Sequence, residues 1–369
     1  MRVAIIVPAG VDRSGEYRVI PAVMWIIERL ARRHSVTVVT LRQEPRPSLW
    51  RSLGADIYNI GSRPRRLRAV HLLLNLHLRR PFDVFHAIWA RGSGEVALAA
   101  ARLCRRPVLV HIAGGELVWM PEIAFGSPRR RARWLARLVL RQADRVTAAS
   151  SPMMGLARKA GASPVRVTLG ADLTVWQPEP PRPRNPERPA RLVHVGSLTP
   201  VKDHETLLRA VAELKRQGRD VRADLIGEDA LGGRVQRLAQ ELGIQEAVIF
   251  HGFLPQRRAV PIVRSADLML VTSRYEAGPV ALVEAAAVGV PTVGTAVGHV
   301  VDLAPRAAVA VPVGDWNRLA AEIGCLLDND DRRLALAEEA QKWAVRENAD
   351  WTCQRFEELY EEVARRPPR

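Results

Sequence analysis

Cysteines and long apolar runs are scarce in this chain of 369 residues. The three cysteines, Cys104, Cys325 and Cys353, are scattered and form no CxxC pair. This arrangement argues against a disulfide framework or a zinc site and favours a reducing cytoplasm. No uninterrupted apolar run approaches the roughly 18–20 residues that a membrane span needs, and the opening MRVAIIVPAG lacks the features of a signal peptide. We therefore expect a cytoplasmic protein that contacts the inner face of the plasma membrane at most peripherally.

Acidic residues are scarce in the first half of the chain. Residues 1–180 carry 29 Lys or Arg and 12 Asp or Glu, whereas residues 181–369 carry 26 and 27, so the first half holds the entire net charge of +16. Two stretches, 63–81 and 127–145, mix arginines with apolar residues at helical spacing. Such faces suit anionic lipid headgroups or an anionic acceptor, but four lysines against fifty-one arginines equally fit a compositional bias. Because no zinc finger or aromatic-interleaved basic module is present, nucleic acid is not expected as a partner.

Short β-branched runs such as RVAIIVP and SVTVVTL alternate with amphipathic stretches such as IPAVMWIIERLARR. This alternation predicts an α/β fold with parallel sheets. It stops at residues 177–191, QPEPPRPRNPERPAR, whose prolines deny a sheet its backbone donors and so predict a linker. It restarts with RLVHVGS. We expect two doubly wound domains, 1–176 and 192–345, a helical tail from 346 to 369, and ligand binding in a cleft at the carboxyl ends of the strands.

The segment RYEAGPVALVEAAAVGVPTV (274–293) places Glu276 before a predicted helix and Glu284 within it. Pro279 suits the first helical position, and Gly278 lets a ligand approach the backbone. The free amides and the dipole at this helix start form an anion site. Carboxylates accept hydrogen bonds from sugar hydroxyls and amides hold phosphate, so the pattern favours a nucleotide-sugar. In the alternative interpretation, Glu276 is solvated and Glu284 pairs structurally elsewhere.

A second motif, HVGSLTPVKDHETLLRA, covers residues 194–210. A predicted strand ends at Gly196 and Ser197, and Lys202 stands just before a helix that Asp203 is expected to cap. A lysine at such a junction suits a diphosphate. The alternative is an exposed surface lysine.

Together these two motifs resemble the retaining glycosyltransferases of family 4, which have the GT-B fold. The resemblance is strongest from 192 to about 300. It implies two Rossmann-like domains with an interdomain cleft and a C-terminal helix that crosses back onto the first domain. It also implies a retaining, metal-independent hexosyltransferase without a cofactor. The donor would be a UDP- or GDP-sugar, and the acceptor a sugar, lipid-linked or anionic, in cell-surface polysaccharide or glycolipid synthesis.

The resemblance also assigns roles by position. Lys202 would hold the donor diphosphate, with Arg274 replacing an arginine that many members carry where Ser197 stands. Glu276 would lie near the hydroxyls of the transferred sugar, and Glu284 would bind the ribose. The remaining donor-side candidates line the phosphates or the nucleobase: Gly196, Gly227, Glu228, Phe253, Gly278, Pro279 and Val280. Charge developing on the leaving diphosphate would be stabilised by Lys202, Arg274 and the helix amides.

The first domain departs from the family pattern. Members often have a histidine just before a glycine at the end of the strand beside the sugar pocket. In VHIAGGE, Ala113 occupies that place and His111 lies two residues earlier, on the same face of the strand. His111 is either a pocket residue or a core histidine. The turn that contains Gly114 and Gly115 is the stronger pocket candidate, and His86 and Arg91 are expected on the acceptor side.

Two other motifs compete with this interpretation. GSGEVA (92–97), with Glu116 beyond it, fits a dinucleotide fingerprint but lies late in its domain. The acidic DND at 328–330 fits a metal motif, but it lies between two predicted helices, and we interpret Asp330 as a helix cap. No catalytic metal is therefore expected. An epimerase on the same fold, and a non-enzymatic basic protein that binds membrane or nucleic acid, remain as alternatives.

Overall fold

A computed structural model describes residues 1–365. The chain divides into two compact units, one formed by Met1–Leu169 with the segment from Ala349 onward, the other by Gly170–Asn348. Each unit has its own mainly parallel sheet flanked by helices, which confirms the expected pair of doubly wound α/β domains. Within the described residues, no helix combines the length and the apolar character needed to cross a membrane.

The first unit contains an eight-stranded sheet in the order β10-β9-β6-β5-β1-β2-β4-β3. All neighbouring strands are parallel except the edge pair β3–β4. The elements are β1 (Arg2–Val7), α1 (Pro21–Ala31), β2 (Ser35–Thr40), β3 (Ser48–Ser52), β4 (Ala55–Asn59), α2 (Arg65–Arg79), β5 (Val84–Ile88), α3 (Ser93–Cys104), β6 (Val108–Ile112), the short antiparallel pair β7 (Trp119–Met120) and β8 (Phe125–Gly126), α4 (Arg130–Gln142), β9 (Arg145–Ala148), α5 (Ser151–Lys159) and β10 (Pro164–Arg166). The central strands β5 and β6 are buried along their whole length, as expected for parallel strands with helices on both faces.

The second unit contains a six-stranded, all-parallel sheet in the order β13-β12-β11-β14-β15-β16. Its elements are β11 (Ala190–Val195), α6 (His204–Arg216), β12 (Val221–Ile226), α7 (Arg234–Glu241), β13 (Val248–Gly252), α8 (Gln256–Arg264), β14 (Leu268–Val271), α9 (Val280–Ala287), β15 (Thr292–Thr295), α10 (Gly298–Leu303), β16 (Ala308–Val311), α11 (Trp316–Asp328) and α12 (Asp330–Arg346). The chain runs outward from β11 to β13, then returns to β14 on the other side of β11. The strand order therefore reverses between β11 and β14, which is where open α/β sheets bind ligands.

The last helix, α13 (Ala349–Ala364), belongs to the first unit and packs against α1 and β5. The Arg29 Nε atom lies 2.6 Å from Asp350 Oδ1, and the Tyr360 hydroxyl lies 2.6 Å from His86 Nδ1. The ring of Phe356 stacks near His86, with ring centroids 4.7 Å apart. Because His86, Phe356 and Tyr360 are all buried, α13 completes the core of the first unit.

The proline-rich segment, residues 177–191, is part of the second unit and is not a free linker. It lies within the second unit together with residues 170–176, and the side chain of Trp176 is buried in that unit's core. Arg188 donates two hydrogen bonds to Asp267, at 3.0 and 2.8 Å. The prolines remove donors but leave carbonyls as acceptors, and Arg333 Nη2 donates to Arg182 O at 2.5 Å. The first unit thus ends at 169 rather than 176, and β11 already begins inside the predicted linker, at Ala190.

Gly227, just after β12, lies in close contact with Gly196, just after β11, and this contact can be tested by mutation. A Cβ atom there would lie 2.1 Å from the carbonyl oxygen of Gly196, so the backbone of β11 or β12 must move. We expect Gly227→Ala to destabilise the protein by roughly 1–3 kcal/mol, the usual range for overpacking, as measured by the shift of the chemical-denaturation midpoint. Gly155→Ala is the control, because a Cβ atom at Gly155, inside α5, meets nothing within 4 Å. A wild-type midpoint for Gly227→Ala would contradict the close packing.

Candidate active site

The loops that follow β11 and β14 are joined to each other at the reversal of strand order. The amide of Arg274 donates to the carbonyl of Val201 at 2.8 Å. The hydroxyl of Thr272 donates to the carbonyl of Lys202 at 2.9 Å. The two motifs singled out in the sequence, 74 residues apart at Lys202 and Glu276, therefore form one continuous surface at the carboxyl edge of the second sheet.

Lys202 and Glu276 form an ion pair at this edge. Lys202 Nζ lies 2.5 Å from Glu276 Oε1, and Ser273 Oγ donates to the same oxygen at 2.7 Å. The two charged side chains are 23% and 14% exposed, respectively. An ammonium group carries three donors, so Lys202 can keep its contact with Glu276 and still bind an anion. The lysine that was predicted to hold phosphate and the glutamate that was predicted to face the sugar are thus direct neighbours.

Arg274 was predicted to bind phosphate, but in the structure its guanidinium forms an ion pair within the protein. Its Nε lies 3.1 Å from Oδ2 of the buried Asp203. Asp203 also caps α6, as predicted, by accepting from the amide of Thr206 at 3.4 Å and from its hydroxyl at 3.0 Å. This anchor fixes the base of the Arg274 guanidinium beside the Lys202 loop. The predicted role of Arg274 as a second cationic contact remains a prediction.

Glu284 lies in the second turn of α9 and is almost fully buried. Gln256, the first residue of α8, donates from Nε2 to Glu284 Oε1. Burial raises the pKa of Glu284 to about 7, while the Gln256 and Trp176 side chains lower it and nearby Asp172 raises it. The alternative interpretation agrees with the structure for Glu284, which has a structural partner in the neutral amide of Gln256. It does not hold for Glu276, which pairs with Lys202 and is not simply solvated. A carboxyl group that is buried without a cationic partner is a candidate binding group.

The start of α9 is not capped by a side chain. Its N-cap residue is Pro279. Pro279 therefore precedes the helix rather than occupying its first position, and Val280 is the first helical residue. Gly278 precedes this start and is half-buried. Uncapped amides at a helix N-terminus attract anions.

Gly298, which sequence reasoning missed, makes room for this loop. Its φ is +48°, and a Cβ atom there would lie 2.8 Å from Pro279 Cδ and 3.0 Å from Glu276 Cβ. A side chain at this position would therefore require the backbone around Pro279 and Glu276, or that of Gly298 itself, to move. The only local signal was the glycine in GTAVGH, directly after β15.

The remaining donor-side candidates lie along the same strand ends. The amide of Gly196 donates to Ile226 O, and the amide of Gly227 donates to Gly252 O, both at 2.8 Å. Three exposed side chains follow the ends of β11, β12 and β13 in turn: Ser197, Glu228 and Phe253. The structure brings these candidates to one edge together with Lys202, and their contacts with phosphate and nucleobase remain predictions.

Two buried histidines beside Lys202 were also missed. His194 donates from Nδ1 to the carbonyl of Leu270 at 2.9 Å, and its ring centroid lies 4.8 Å from that of His204. Burial, reinforced by the charge of Lys202, lowers the pKa of His194 to about 4. Burial, His194 and Lys202 together lower the pKa of His204 to about 2. Both rings are therefore neutral near pH 7, and Lys202 carries the positive charge of this cluster.

The structure favours one of the two alternatives for His111 and corrects the prediction for His86. His111 is fully buried in β6, with Nδ1 3.0 Å from Thr147 Oγ1 and its ring against Phe356. Burial lowers its pKa to about 3. His86, expected on the acceptor side, is equally buried and contacts Tyr360. Both are core histidines, because α13 covers the face of the sheet from which they project.

The turn at Gly114 and Gly115 is packed inside the first unit. A Cβ atom at Gly114 would lie 3.0 Å from Trp89 Nε1, and one at Gly115 would lie 2.7 Å from the Phe125 ring. The neighbouring Glu116 is buried and accepts from the amide of Ala90 at 3.2 Å. Burial raises the pKa of Glu116. The turn is a tightly fitted part of the first unit, and a role in a sugar pocket remains a prediction.

The two competing motifs have structural explanations. Gly94 of GSGEVA lies in α3, where a Cβ atom would meet Val139 of α4 at 3.0 Å, so this glycine serves helix packing. In the DND sequence, Asn329 rather than Asp330 caps α12, because its side chain accepts from the amide of Arg332 at 2.9 Å. Asp330 instead pairs with Arg333 at 2.7 Å. Across residues 1–365, no cluster of three His, Cys, Asp or Glu side chains could hold a metal ion.

Known protein families match both halves of the chain. The family of glycosyl transferases group 1 matches residues 177–343, and the glycosyl transferase 4-like domain matches residues 19–169. D-inositol 3-phosphate glycosyltransferase 2 of Catenulispora acidiphila is 30% identical over 289 residues, which cover 72% of this chain and 67% of that protein. D-inositol 3-phosphate glycosyltransferase of Corynebacterium jeikeium is 35% identical over 179 residues, covering 46% and 42%. The alignments with this relative and with the D-inositol 3-phosphate glycosyltransferase of Corynebacterium urealyticum span about half of those proteins, 42% and 51%.

Solved structures show the same fold. Sucrose-phosphate synthase of Thermosynechococcus elongatus matches with a TM-score of 0.82 and 18% identity over 98% of both chains. HepE of Anabaena, solved with UDP-glucose, matches with a TM-score of 0.76 and 18% identity over 98% of this chain and 100% of that one. The chain belongs to the group 1 glycosyltransferases of the family 4 type, and its fold is GT-B.

The buried Glu284 predicts a pH-dependent effect on stability. Because its pKa rises from 4.5 to about 7 on folding, the unfolded chain ionises first, and stability falls as pH rises between these values. At about 1.4 kcal/mol per pKa unit, the penalty above pH 7 is on the order of 3 kcal/mol. Glu284→Gln removes this titration. We therefore expect the unfolding free energy of Glu284→Gln, relative to that of wild type, to be higher at pH 8 than at pH 5.

Chemical denaturation at the two pH values measures this difference. Glu241→Gln is the matched control, since Glu241 is an exposed glutamate at the end of α7. The control should give the same relative stability at both pH values. A flat response of Glu284→Gln would show that Glu284 is already ionised in the folded protein.

Proposed function

We propose that this protein transfers a sugar from a nucleotide-diphosphate-sugar to an acceptor hydroxyl, with retention of anomeric configuration. One observation carries the proposal: the Lys202–Glu276 pair lies at the reversal of strand order in the second sheet, on the loop that leads into the uncapped start of α9. A cation, a carboxylate and free helix amides at one strand edge match the phosphates and hydroxyls of such a donor. Family membership supports this chemistry.

The diphosphate is the leaving group, and its growing negative charge is the main quantity to stabilise. Lys202 is placed to contact it while keeping Glu276 as a second partner. The amides at Val280 and beyond add the positive end of the α9 dipole. Preorganised donors of this kind typically contribute 10²–10³-fold to the rate each. Because these groups already supply positive charge, we propose that the reaction proceeds without a metal ion.

Glu276 and Glu284 would bind the two hydroxyl-bearing ends of the donor. Glu276 Oε1 already accepts from Lys202 and Ser273, which leaves its second oxygen for a hydroxyl of the sugar. Glu284 would accept from the ribose hydroxyls. Hydrogen bonds to the ionised form lower a carboxyl pKa, so donor binding would draw Glu284 towards its charged form and release a proton near pH 7.

Retention would follow from substitution on one face of the sugar. In the family's proposed mechanism, the acceptor oxygen attacks the anomeric carbon, the bond to the diphosphate oxygen breaks, and that oxygen takes the proton of the acceptor hydroxyl. In the second unit, the two histidines nearest Lys202 are buried and have strongly lowered pKa values, so neither is suited to act as a base near pH 7. This arrangement agrees with proton transfer to the leaving phosphate.

The similar proteins support a first choice of nucleotide donor and of acceptor. HepE was solved with UDP-glucose, which favours a uridine donor over a guanosine donor. The relatives named D-inositol 3-phosphate glycosyltransferase point to an acceptor that carries phosphate. An anionic acceptor also fits the excess of arginine in the first half of the chain. We therefore propose UDP-sugar as the first donor to test and phosphorylated or lipid-linked sugars as the first acceptors.

Binding and transfer with UDP-, GDP- and ADP-sugars, with and without EDTA, test the proposal. We expect one nucleotide class to bind and react equally well with EDTA. Lys202→Ala should lower kcat/KM by about 10²–10³-fold, the usual effect of removing one charge-stabilising donor. Glu284→Ala should weaken donor binding. The anomeric configuration of the product, determined by NMR coupling constants, tests retention.

Two control variants separate these effects from general damage. Lys215→Ala removes an exposed lysine from the other end of α6, where it contacts Asp220, and Glu241→Ala removes an exposed glutamate. Both should behave as wild type. A product that forms from the donor alone, without an acceptor, would favour an epimerase. Wild-type binding by Lys202→Ala and Glu284→Ala would refute the assignment of the site.

A further inference from the structure

The imidazole of His194 has one nitrogen that the contacts described so far leave unused. His194 lies near the end of β11 and is 2% exposed. Its Nδ1 lies 2.9 Å from the carbonyl oxygen of Leu270, and because a carbonyl only accepts, Nδ1 carries the hydrogen of the neutral ring. The other nitrogen, Nε2, therefore carries a lone pair. Among residues 1–365, no group donates a hydrogen bond to it.

The space beside this lone pair is shared with the side chain of Lys202. A Cβ atom at Gly196 would lie 3.0 Å from Lys202 Cε and 3.3 Å from His194 Nε2. The lysine stem and the imidazole nitrogen therefore border the same small space, which stays open because residue 196 has no side chain. The charge of Lys202 also helps to lower the pKa of His194, after the larger effect of burial. The two side chains thus interact electrostatically.

Two contacts fix the direction in which Nε2 points. The hydrogen bond from Nδ1 to Leu270 holds one edge of the ring. His204, the first residue of α6, packs against the ring with the two planes at 81° and is itself 3% exposed. Edge-to-face packing of this kind restricts rotation of a buried ring. The lone pair of His194 is therefore held towards the space beside Lys202.

The ammonium group of Lys202 has more hydrogens than the partners assigned to it. It carries three donors. Glu276 Oε1, 2.5 Å away, accepts one of them, and the proposed donor diphosphate would accept a second. The lysine side chain is only 23% exposed, and an unpaired charged donor in a partly buried site is costly. Because rotation about the last carbon–carbon bond moves Nζ while Cε stays beside Gly196, the third hydrogen can reach the space that faces His194.

We propose that His194 is a positioning residue for Lys202. With the donor bound, Nε2 of His194 accepts the third hydrogen of the ammonium group and so holds the positive charge at the diphosphate. No proton is transferred, since Lys202 stays charged and His194 stays neutral. The inference rests on the proposed donor site and adds to it a residue that does not itself touch the donor.

The two nitrogens of His194 can be replaced separately, which distinguishes positioning from packing. Asparagine keeps an amide donor near the place of Nδ1, for Leu270, and has no atom at the place of Nε2. Glutamine carries its amide oxygen about as far from Cα as Nε2, so it keeps an acceptor for Lys202 and loses the donor to Leu270. A positioning role predicts that His194→Gln binds the donor better than His194→Asn. A packing role predicts the reverse order.

Dissociation constants of UDP, UDP-glucose and uridine for the whole protein test this order. We expect His194→Asn to bind UDP and UDP-glucose roughly 10- to 100-fold more weakly than wild type, the usual effect of one hydrogen bond to a charged group. His194→Gln should bind both nearly as wild type. Uridine should bind all three proteins equally, because it has no phosphate to draw Lys202. GDP, GDP-mannose and guanosine replace these ligands if the wild-type protein prefers guanosine.

Nuclear magnetic resonance of the wild-type protein gives a measurement that does not depend on the folding of a variant. The ¹⁵N resonance of His194 Nε2 is assigned by its absence from His194→Gln. It should shift when UDP is added, because an accepted hydrogen bond changes the shielding of an unprotonated ring nitrogen. It should stay in place when uridine is added.

The matched control is His71→Asn, which removes an exposed imidazole from α2, where it contacts Asn75. It should bind every ligand as wild type. Equal weakening of UDP and uridine by His194→Asn, a milder effect of asparagine than of glutamine, or an unmoved Nε2 resonance would overturn the positioning role and leave the donor site intact. If the wild-type protein binds no nucleotide, the donor site fails, and the positioning role fails with it.

Discussion

The ion pair between Lys202 and Glu276 is the contact on which the candidate site depends. It joins the loop after β11 to the loop after β14, which are distant in sequence and adjacent only because β14 returns beside β11. Ser273 holds the shared carboxylate oxygen, and Gly298 leaves room for the Glu276 loop. Without a ligand, each charge satisfies the other. A donor that supplies phosphate to the lysine and hydroxyls to the glutamate can enter without leaving either charge unpaired.

Around this pair, burial shifts the pKa values of several titratable groups in the second unit. The pKa of Glu284 is raised, and the pKa values of His194 and His204 are lowered, chiefly because all three are buried. A buried carboxyl group at pKa about 7 costs folding stability near neutral pH. Strongly shifted pKa values tend to cluster at functional sites, and the Gln256 amide gives the buried carboxyl group a hydrogen-bond partner. Lys202 is left as the charged member of its cluster.

The two units differ in the balance of their acidic and basic residues. The second unit balances its arginines with acids, including the buried Asp267, which holds Arg188 of the proline-rich segment. The first unit has an excess of arginine, and its helices α2 and α4 carry nine arginines without an acidic residue. The candidate donor site and these arginine-rich helices thus belong to different units of the chain.

The order of strands and helices, both motifs, and the Asp203 cap could be read from the sequence, because periodicity and capping are local properties. Burial was not visible there. His111 is a core residue because α13, more than two hundred residues later, packs its Phe356 over the sheet. The proline-rich segment looked like a free linker, since its carbonyl contacts with Arg333 leave no mark in composition. The environment of Glu284 likewise depends on Gln256, which lies 28 residues earlier in the chain and is brought near only by the fold. The sequence by itself determined which residues are candidates for the chemistry, and the tertiary structure decided which of them meet, because long-range contacts follow from strand order and side-chain packing.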